Sequence, residues 1–215
     1  MSFNVVFNNE KKTYESPVLV KDIIGDNRDY VCAYVNKRVR ELTYKVDKDS
    51  EIVPITLAER DAKPIYEASL RFLVAMAFHN VYPYLNIRFS YNVSRSIFVQ
   101  IINEGIASNG AMVKQLQKEM ERLVALDLPL ERSIVSKEDA HRILLEEGYP
   151  DKVEILKYRP EKTAHIYTCD NYKNYMYSRM VPSTGYINKF KILFYYPGLI
   201  IQYPRPEMKG AIPEF

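Results

Sequence analysis

Residues 176–191 read Met-Tyr-Ser-Arg-Met-Val-Pro-Ser-Thr-Gly-Tyr-Ile-Asn-Lys-Phe-Lys, and no other stretch limits the fold as tightly. Pro182 fixes φ, Ser183 and Thr184 can bond to nearby backbone, and Gly185 tolerates a positive φ. Val-Pro-Ser-Thr-Gly therefore reads as a turn. It joins an aromatic strand carrying Tyr172, Tyr175 and Tyr177 to a second apolar run over 190–196. On the residues alone this is a buried loop between two strands.

The chain has 215 residues, enough for one large or two modest domains. Apolar residues make up 47% and charged residues 27%, a balance that supports a core and argues against disorder. A net charge of +3 is too small to announce nucleic acid by itself. Cys32 and Cys169 read as buried free thiols in a reducing compartment, not as a disulfide framework. No apolar run approaches the roughly 18 residues of a membrane-spanning helix, and Met-Ser-Phe-Asn-Val lacks a signal peptide's basic start. The expectation is a cytoplasmic protein with no membrane partner.

The first sixty residues alternate short strands with one short helix. Phe3–Phe7 pairs with 11–15 through the Asn8-Asn9 turn, and helical spacing over 18–24 ends at Gly25. Strands follow at 30–35, 39–42 and 52–57, with Asn36-Lys37 as a tight turn. The order β-β-α-β-β-β describes a β-grasp module. Lys37, Arg38 and Arg40 are candidates for contact with an anion or RNA, against the simpler reading of a solvated hairpin tip.

A long helix follows. Asp61 is placed as its cap, Pro64 in its first turn, and Ile65, Ala68, Ser69, Phe72, Met76 and Asn80 on one inward stripe. Pro83 ends it. Strands are expected at 86–91 and 96–102, then a helix capped by Ser108 or Asn109 that points Met112, Leu116, Met120 and Leu123 inward. Ser136 with Asp139 reads as a capping box for a helix ended by Gly148. Residues 152–156, Lys-Val-Glu-Ile-Leu, read as a strand, and so do 190–196 and 199–203. The proline-rich 205–215 reads as a linker. His165 and Cys169 are four apart, which on a strand separates Cα atoms by roughly 13 Å and excludes one shared zinc. His79 and His141 have no neighbouring ligands and read as surface histidines.

The wording of 176–191 resembles the signature loop of the editing domain of threonyl-tRNA synthetases, a Cys-x-x-x-His segment before Val-Pro-Asn/Ser-Thr-Gly. That family's Cys falls on Met176 and its His on Met180. Its helical His-x-x-x-His, whose i, i+4 spacing holds zinc, falls on Ala68 and Phe72. Lys152, just before Val-Glu-Ile-Leu, matches a lysine of the editing pocket. The stretch 33–42 resembles the TGS domain that precedes the editing domain. The resemblance implies an α+β fold, with a TGS-like β-grasp domain at 1–60 and an editing-like domain at 61–204. It also implies a degenerate metal site: Ala68, Phe72, Met176 and Met180 are expected to converge as an apolar plug, with Lys152 near its rim.

A closer resemblance is to bacterial uridine kinase-like proteins, in which the same pair precedes a P-loop kinase domain. Tyr158-Arg159-Pro160, Met180 to Tyr186 and Tyr196-Pro197-Gly198 carry it. It implies that ATP and Mg belong to a kinase domain of the same chain beyond Phe215, with no cofactor in this stretch. The chain itself holds no G-x-x-x-x-G-K-[ST], no G-x-S-x-G and no H-E-x-x-H. The leading expectation is a non-catalytic binding or regulatory region. The alternatives are an RNA- or tRNA-binding module and a metal-free editing hydrolase that uses Lys152. An RNA or a small molecule is the expected ligand.

Overall fold

The computed structural model describes residues 2–214. Strands β1 (Phe3–Phe7) and β2 (Glu10–Tyr14) form a hairpin through Asn8 and Asn9, both at positive φ. Strand β3 (Val18–Leu19) leads into helix α1 (Val20–Ile24), which ends at Gly25 with φ of 79°. Strands β4 (Tyr30–Val35) and β5 (Arg38–Glu41) are joined by Asn36 and Lys37, again both at positive φ, as a two-residue hairpin turn requires. Strand β6 (Lys45–Val46) pairs with β3, and β7 (Ser50–Thr56) closes this part. The main sheet runs β2-β1-β7-β4-β5, with β1 parallel to β7 and every other neighbour antiparallel.

Helix α2 (Ala62–Val81) is buried nearly all round. Ile65, Ala68, Ser69, Phe72 and Met76 face inward as their spacing predicts, and Leu70, Leu73, Val74, Ala77 and Phe78 are buried as well. Two expectations are corrected here. Asn80 is exposed and donates to Glu119 at 2.8 Å. Asp61 makes no side-chain cap, because its carboxylate accepts the Tyr34 hydroxyl at 2.5 Å, a partner 27 residues away.

Strands β8 (Ile87–Val93) and β9 (Ser96–Ile101) form the next hairpin, and helix α3 (Gly110–Leu126) packs along α2. Asn109 caps α3 by accepting from Met112 N, and Met112, Leu116, Met120 and Leu123 are buried as expected. Strand β10 (Glu131–Ser136) leads to α4 (Lys137–Glu146), where the Ser136 hydroxyl accepts from Asp139 N at 3.0 Å. A correction follows. Residues 150–157 form helix α5 (Pro150–Lys157) and not a strand. Pro150 at the first helical position pre-sets φ, and Val153 and Leu156, three apart, bury one face against α4. The β-branched and aliphatic residues of Val-Glu-Ile-Leu mimic a strand, while their spacing also suits a short helix.

Strands β11 (Thr163–Cys169) and β12 (Tyr172–Tyr175) complete a β10-β11-β12 sheet, so Tyr177 lies past the strand it was expected to extend. Strands β13 (Lys191–Tyr195) and β14 (Gly198–Gln202) complete the sheet β13-β14-β9-β8. The expected linker after 204 is ordered: Pro206–Met208 form a 3-10 turn, Arg205 pairs with Ala211, and Gln202 Nε2 donates to Pro213 O. Its order comes from partners six and eleven residues apart, which composition does not report.

One continuous core runs from Phe3 to Tyr203, and polar links cross it. Arg132 pairs with Glu41 at 2.7 Å, and Lys189 with Asp29 at 2.8 Å. The Tyr66 hydroxyl both accepts from Lys189 N and donates to Lys189 O, each at 2.9 Å. A smaller cluster of Ala140, Leu144, Val153, Leu156, Ala164 and Ile166 holds α4 and α5 to β11. No helix among the described residues is long and apolar enough to cross a membrane. Because the small cluster has few members, Leu144→Ala should cost about 2–4 kcal/mol and loosen α5 first. Urea denaturation gives the cost, and amide exchange of residues 150–157 gives the order of opening.

Candidate functional site

Residues 180–186 are held by a different element at almost every step. Val181 N donates to Ser69 Oγ of α2 at 3.0 Å. Leu130 N donates to Pro182 O at 2.9 Å, and Ser183 bridges to Pro129. The Thr184 hydroxyl donates to Leu123 O at 2.6 Å and accepts from Leu128 N at 2.8 Å. Asp127, left-handed at the C-terminus of α3, supplies the centre of this arrangement. Its carboxylate accepts from both Arg28 Nη atoms at 2.8 Å, from Gly185 N at 3.2 Å and from the Ser183 hydroxyl. The Arg28 guanidinium holds the Asp127 carboxyl below the usual range, with Ser183 adding to the effect and burial opposing it. The Arg28 guanidinium also lies 4.5 Å from the Tyr186 ring. Gly185 is required for closeness and not for the positive φ expected of it: a Cβ there would fall 2.3 Å from Asp127 Oδ1.

The four positions of the expected metal site are distributed as follows. Ala68 and Met176 line one cleft of about 360 Å³. Phe72, one turn along α2 from Ala68, is fully buried and meets Tyr172 edge-on at 5.1 Å. Met180 is buried in the core, one residue before the Val181–Ser69 bond. Ala68 and Phe72 offer no donor atom, and methionine thioethers are soft, weak partners for zinc, so this set does not fit that metal. Among the described residues, no three His, Cys, Asp or Glu side chains are grouped to hold a metal ion.

Lys152 sits in the first turn of α5, where a cation gains nothing from the helix dipole. Its ammonium donates to Asn174 Oδ1 and lies 4.2 Å from the Tyr149 ring centroid. Asn174 Nδ2 donates to the Tyr172 hydroxyl at 2.6 Å, and Tyr149 donates to the same oxygen at 2.8 Å. Tyr172 and Asn174 are two apart on β12 and so share its buried face. Burial pushes the Lys152 amine down to about 8, with Asp151 opposing. The His79 ring lies 5.2 Å from Tyr172, although His79 itself is exposed. The network therefore continues through Tyr172 to Phe72 and α2. Asn174 and Tyr149 were not singled out by sequence, and Tyr172 was read only as part of an aromatic strand. The available signal for Asn174 was its place two residues after Tyr172, on the same strand face.

Lys37 and Arg38 project from the β4–β5 hairpin and are exposed, and Arg40 lies 4.7 Å from the Tyr44 ring. Arg179 Nη1 reaches the same hairpin at Val39 O, 3.1 Å away. None of Lys37, Arg38 and Arg40 lines the cleft at Ala68 and Met176. His165 is half-buried on β11, and burial, then Arg132 and Arg179, hold its imidazole below the ordinary value.

No protein-family model matches the chain. Against curated proteins the result is different. The chain is similar to threonine–tRNA ligases. It is 27% identical to that of Carboxydothermus hydrogenoformans over 167 residues, 77% of this chain and 26% of the ligase. It is 26% identical to that of Marinobacter nauticus over 187 residues, 84% of this chain and 29% of the ligase. The Listeria monocytogenes ligase is 28% identical over 188 residues, 85% of this chain and 29% of the ligase. The chain thus spans under a third of the length of the curated relatives it matches.

Two outcomes follow. Gly185→Ala should cost about 1–3 kcal/mol through overpacking against Asp127, and much less in an Asp127→Ala background. Denaturant unfolding of the four proteins of that cycle measures the coupling. For Lys152, both folded and unfolded lysine are protonated below pH about 8, and folding then carries the cost of burying the charge. As pH rises from about 8 to 10.5 the unfolded chain binds the extra proton, so stability increases across that window. Lys152→Met should lose this rise, by about 2–3 kcal/mol, in paired denaturation curves at about pH 7 and about pH 10.

Proposed function

We propose that this chain is a non-catalytic binding and regulatory region of a longer, ATP-dependent uridine kinase-like protein. In this reading residues 1–60 are a TGS-like β-grasp unit, and residues 61–204 are an α+β unit built like the editing domain of threonyl-tRNA synthetases. The order β2-β1-β7-β4-β5, with β1 and β7 parallel at its centre, agrees with a β-grasp. The similarity to threonine–tRNA ligases over most of the chain supports the editing-like reading. The observation that carries the proposal is the make-up of the positions that the resemblance assigns to the metal. They are Ala68, Phe72, Met176 and Met180, with Phe72 and Met180 buried at 1% exposure or less. Apolar side chains at such positions bury area at about 25 cal/mol per Å² and leave no ligand atoms in need of polar partners. ATP and Mg are assigned to the kinase domain, since this stretch offers no glycine-rich loop whose N–H groups cradle phosphates.

Lys152 favours a second reading, a metal-free hydrolase or binding module for tRNA. Burial lowers its amine to about 8, and it has Asn174 and Tyr172 as polar neighbours. The two readings separate experimentally. The first expects no stoichiometric zinc by elemental analysis, no uridine phosphorylation by residues 1–215, and uridine phosphorylation by the longer protein with ATP. Deacylation of mischarged threonine tRNA by residues 1–215, lost in Lys152→Met, would overturn it in favour of the second.

A further inference from the structure

The cleft at Ala68 and Met176 has a chemistry of its own, separate from the Lys152 network. Pro64, Ala68 and Met176 give it apolar surface, and Lys63, Glu67, Arg71, Tyr177 and Ser178 give it polar groups. We propose that this cleft binds a small aromatic anion, with its ring on the apolar surface beside Tyr177 and its carboxylate or phosphate at Lys63 and Arg71. The proposal rests on the reading of the chain as a binding region and names the ligand class of its cleft.

Charge is the first argument. The Lys63 ammonium makes no ion pair or hydrogen bond among the described residues. Arg71 is only half engaged: Nη2 donates to Glu67 Oε1 at 2.7 Å, while Nε is buried without an acceptor. Glu67 is the one carboxylate of the cleft, and its second oxygen already accepts the Tyr203 hydroxyl at 2.8 Å. Tyr203 in turn accepts from Arg205 Nη1 at 2.6 Å. Two cations against one fully engaged carboxylate leave the lining net positive, which suits an anion. Guanidinium and ammonium groups both make strong charge-assisted bonds to carboxylate and phosphate oxygens.

Shape is the second argument. About 360 Å³ lies within the usual range of small-molecule sites and holds a single substituted ring. The Tyr177 ring is 69% exposed, and the Arg159 guanidinium lies 4.3 Å from its centroid. That cation stiffens an exposed ring that would otherwise be mobile, and a stiff ring in the lining of a cleft is suited to stacking on a planar ligand.

The test uses residues 1–215 with 13C-labelled methionine methyls, followed by NMR during titration with phenyl phosphate, benzoate, inorganic phosphate and benzyl alcohol. The Met176 methyl should shift saturably with phenyl phosphate or benzoate, and the tighter of the two identifies the anion. Inorganic phosphate and benzyl alcohol, each offering half of the ligand, should bind at least about tenfold more weakly. Lys63→Ala and Tyr177→Ala, neither of which removes a core side chain, should each weaken binding about five- to tenfold, with unchanged thermal melts as the check on folding. Absence of saturable shifts with both aromatic anions would overturn the proposal. So would benzyl alcohol binding as well as benzoate, or affinity unchanged in both variants. These outcomes leave the phosphorylation and deacylation assays above untouched, so failure here and failure of the wider reading are told apart.

Discussion

The carboxylate of Asp127 is the point on which the arrangement turns. It terminates α3 in a left-handed conformation, takes two hydrogen bonds from Arg28 and holds Ser183 and Gly185 of the loop. Three segments that are far apart in sequence meet on one group. Two parallel guanidinium–carboxylate bonds fix orientation as well as distance, which a single ammonium contact does not. The glycine beside it is there because only hydrogen fits between the loop and the carboxylate. Residues that a sequence reader takes for a ligand-binding signature therefore have a full structural employment.

Helix α2 is held from several sides in the same way. Phe72 meets Tyr172 edge-on, Ser69 accepts from Val181, and Met180 enters the common core. Lys152 is different, because nothing in the packing requires an amine there. Its charge is disfavoured by burial, and its hydrogen bond to Asn174 links it to the tyrosines under α2.

What the sequence made legible was local. The turns at Asn8-Asn9 and Asn36-Lys37, the Asn109 and Ser136 caps and the inward stripe of α3 depend on residues within four positions of each other. The errors have a common cause as well. Asp61 looked like a cap and was claimed by Tyr34, and the tail after 204 looked like a linker and was ordered by Arg205 and Gln202. Residues 152–156 were misread for a local reason, since Val-Glu-Ile-Leu suits either period and only Pro150 tips it toward a helix. Of the site, Lys152 and the four apolar positions were visible by resemblance. The acceptors and rings around them were not, because Asn174 lies 22 residues from Lys152 and is brought there by the β11–β12 hairpin.

Helix α2 makes the molecule intolerant of a change in spacing. Its 20 residues cover about 30 Å, and successive side chains are turned by about 100°. Ala62 to Ile65 sit at the end nearest the first sheet, Ala68 and Arg71 at the cleft, and Phe72 and His79 against Tyr172. One residue inserted near Pro64 would rotate everything after it off its neighbour, moving Ser69 from Val181 and Glu67 from Tyr203 together. The helix behaves as a camshaft, with its lobes keyed to separate parts of the chain. The hairpin tips at Lys37 and Arg95, both at positive φ, lie outside that helix, and a change in their length would leave its keying intact.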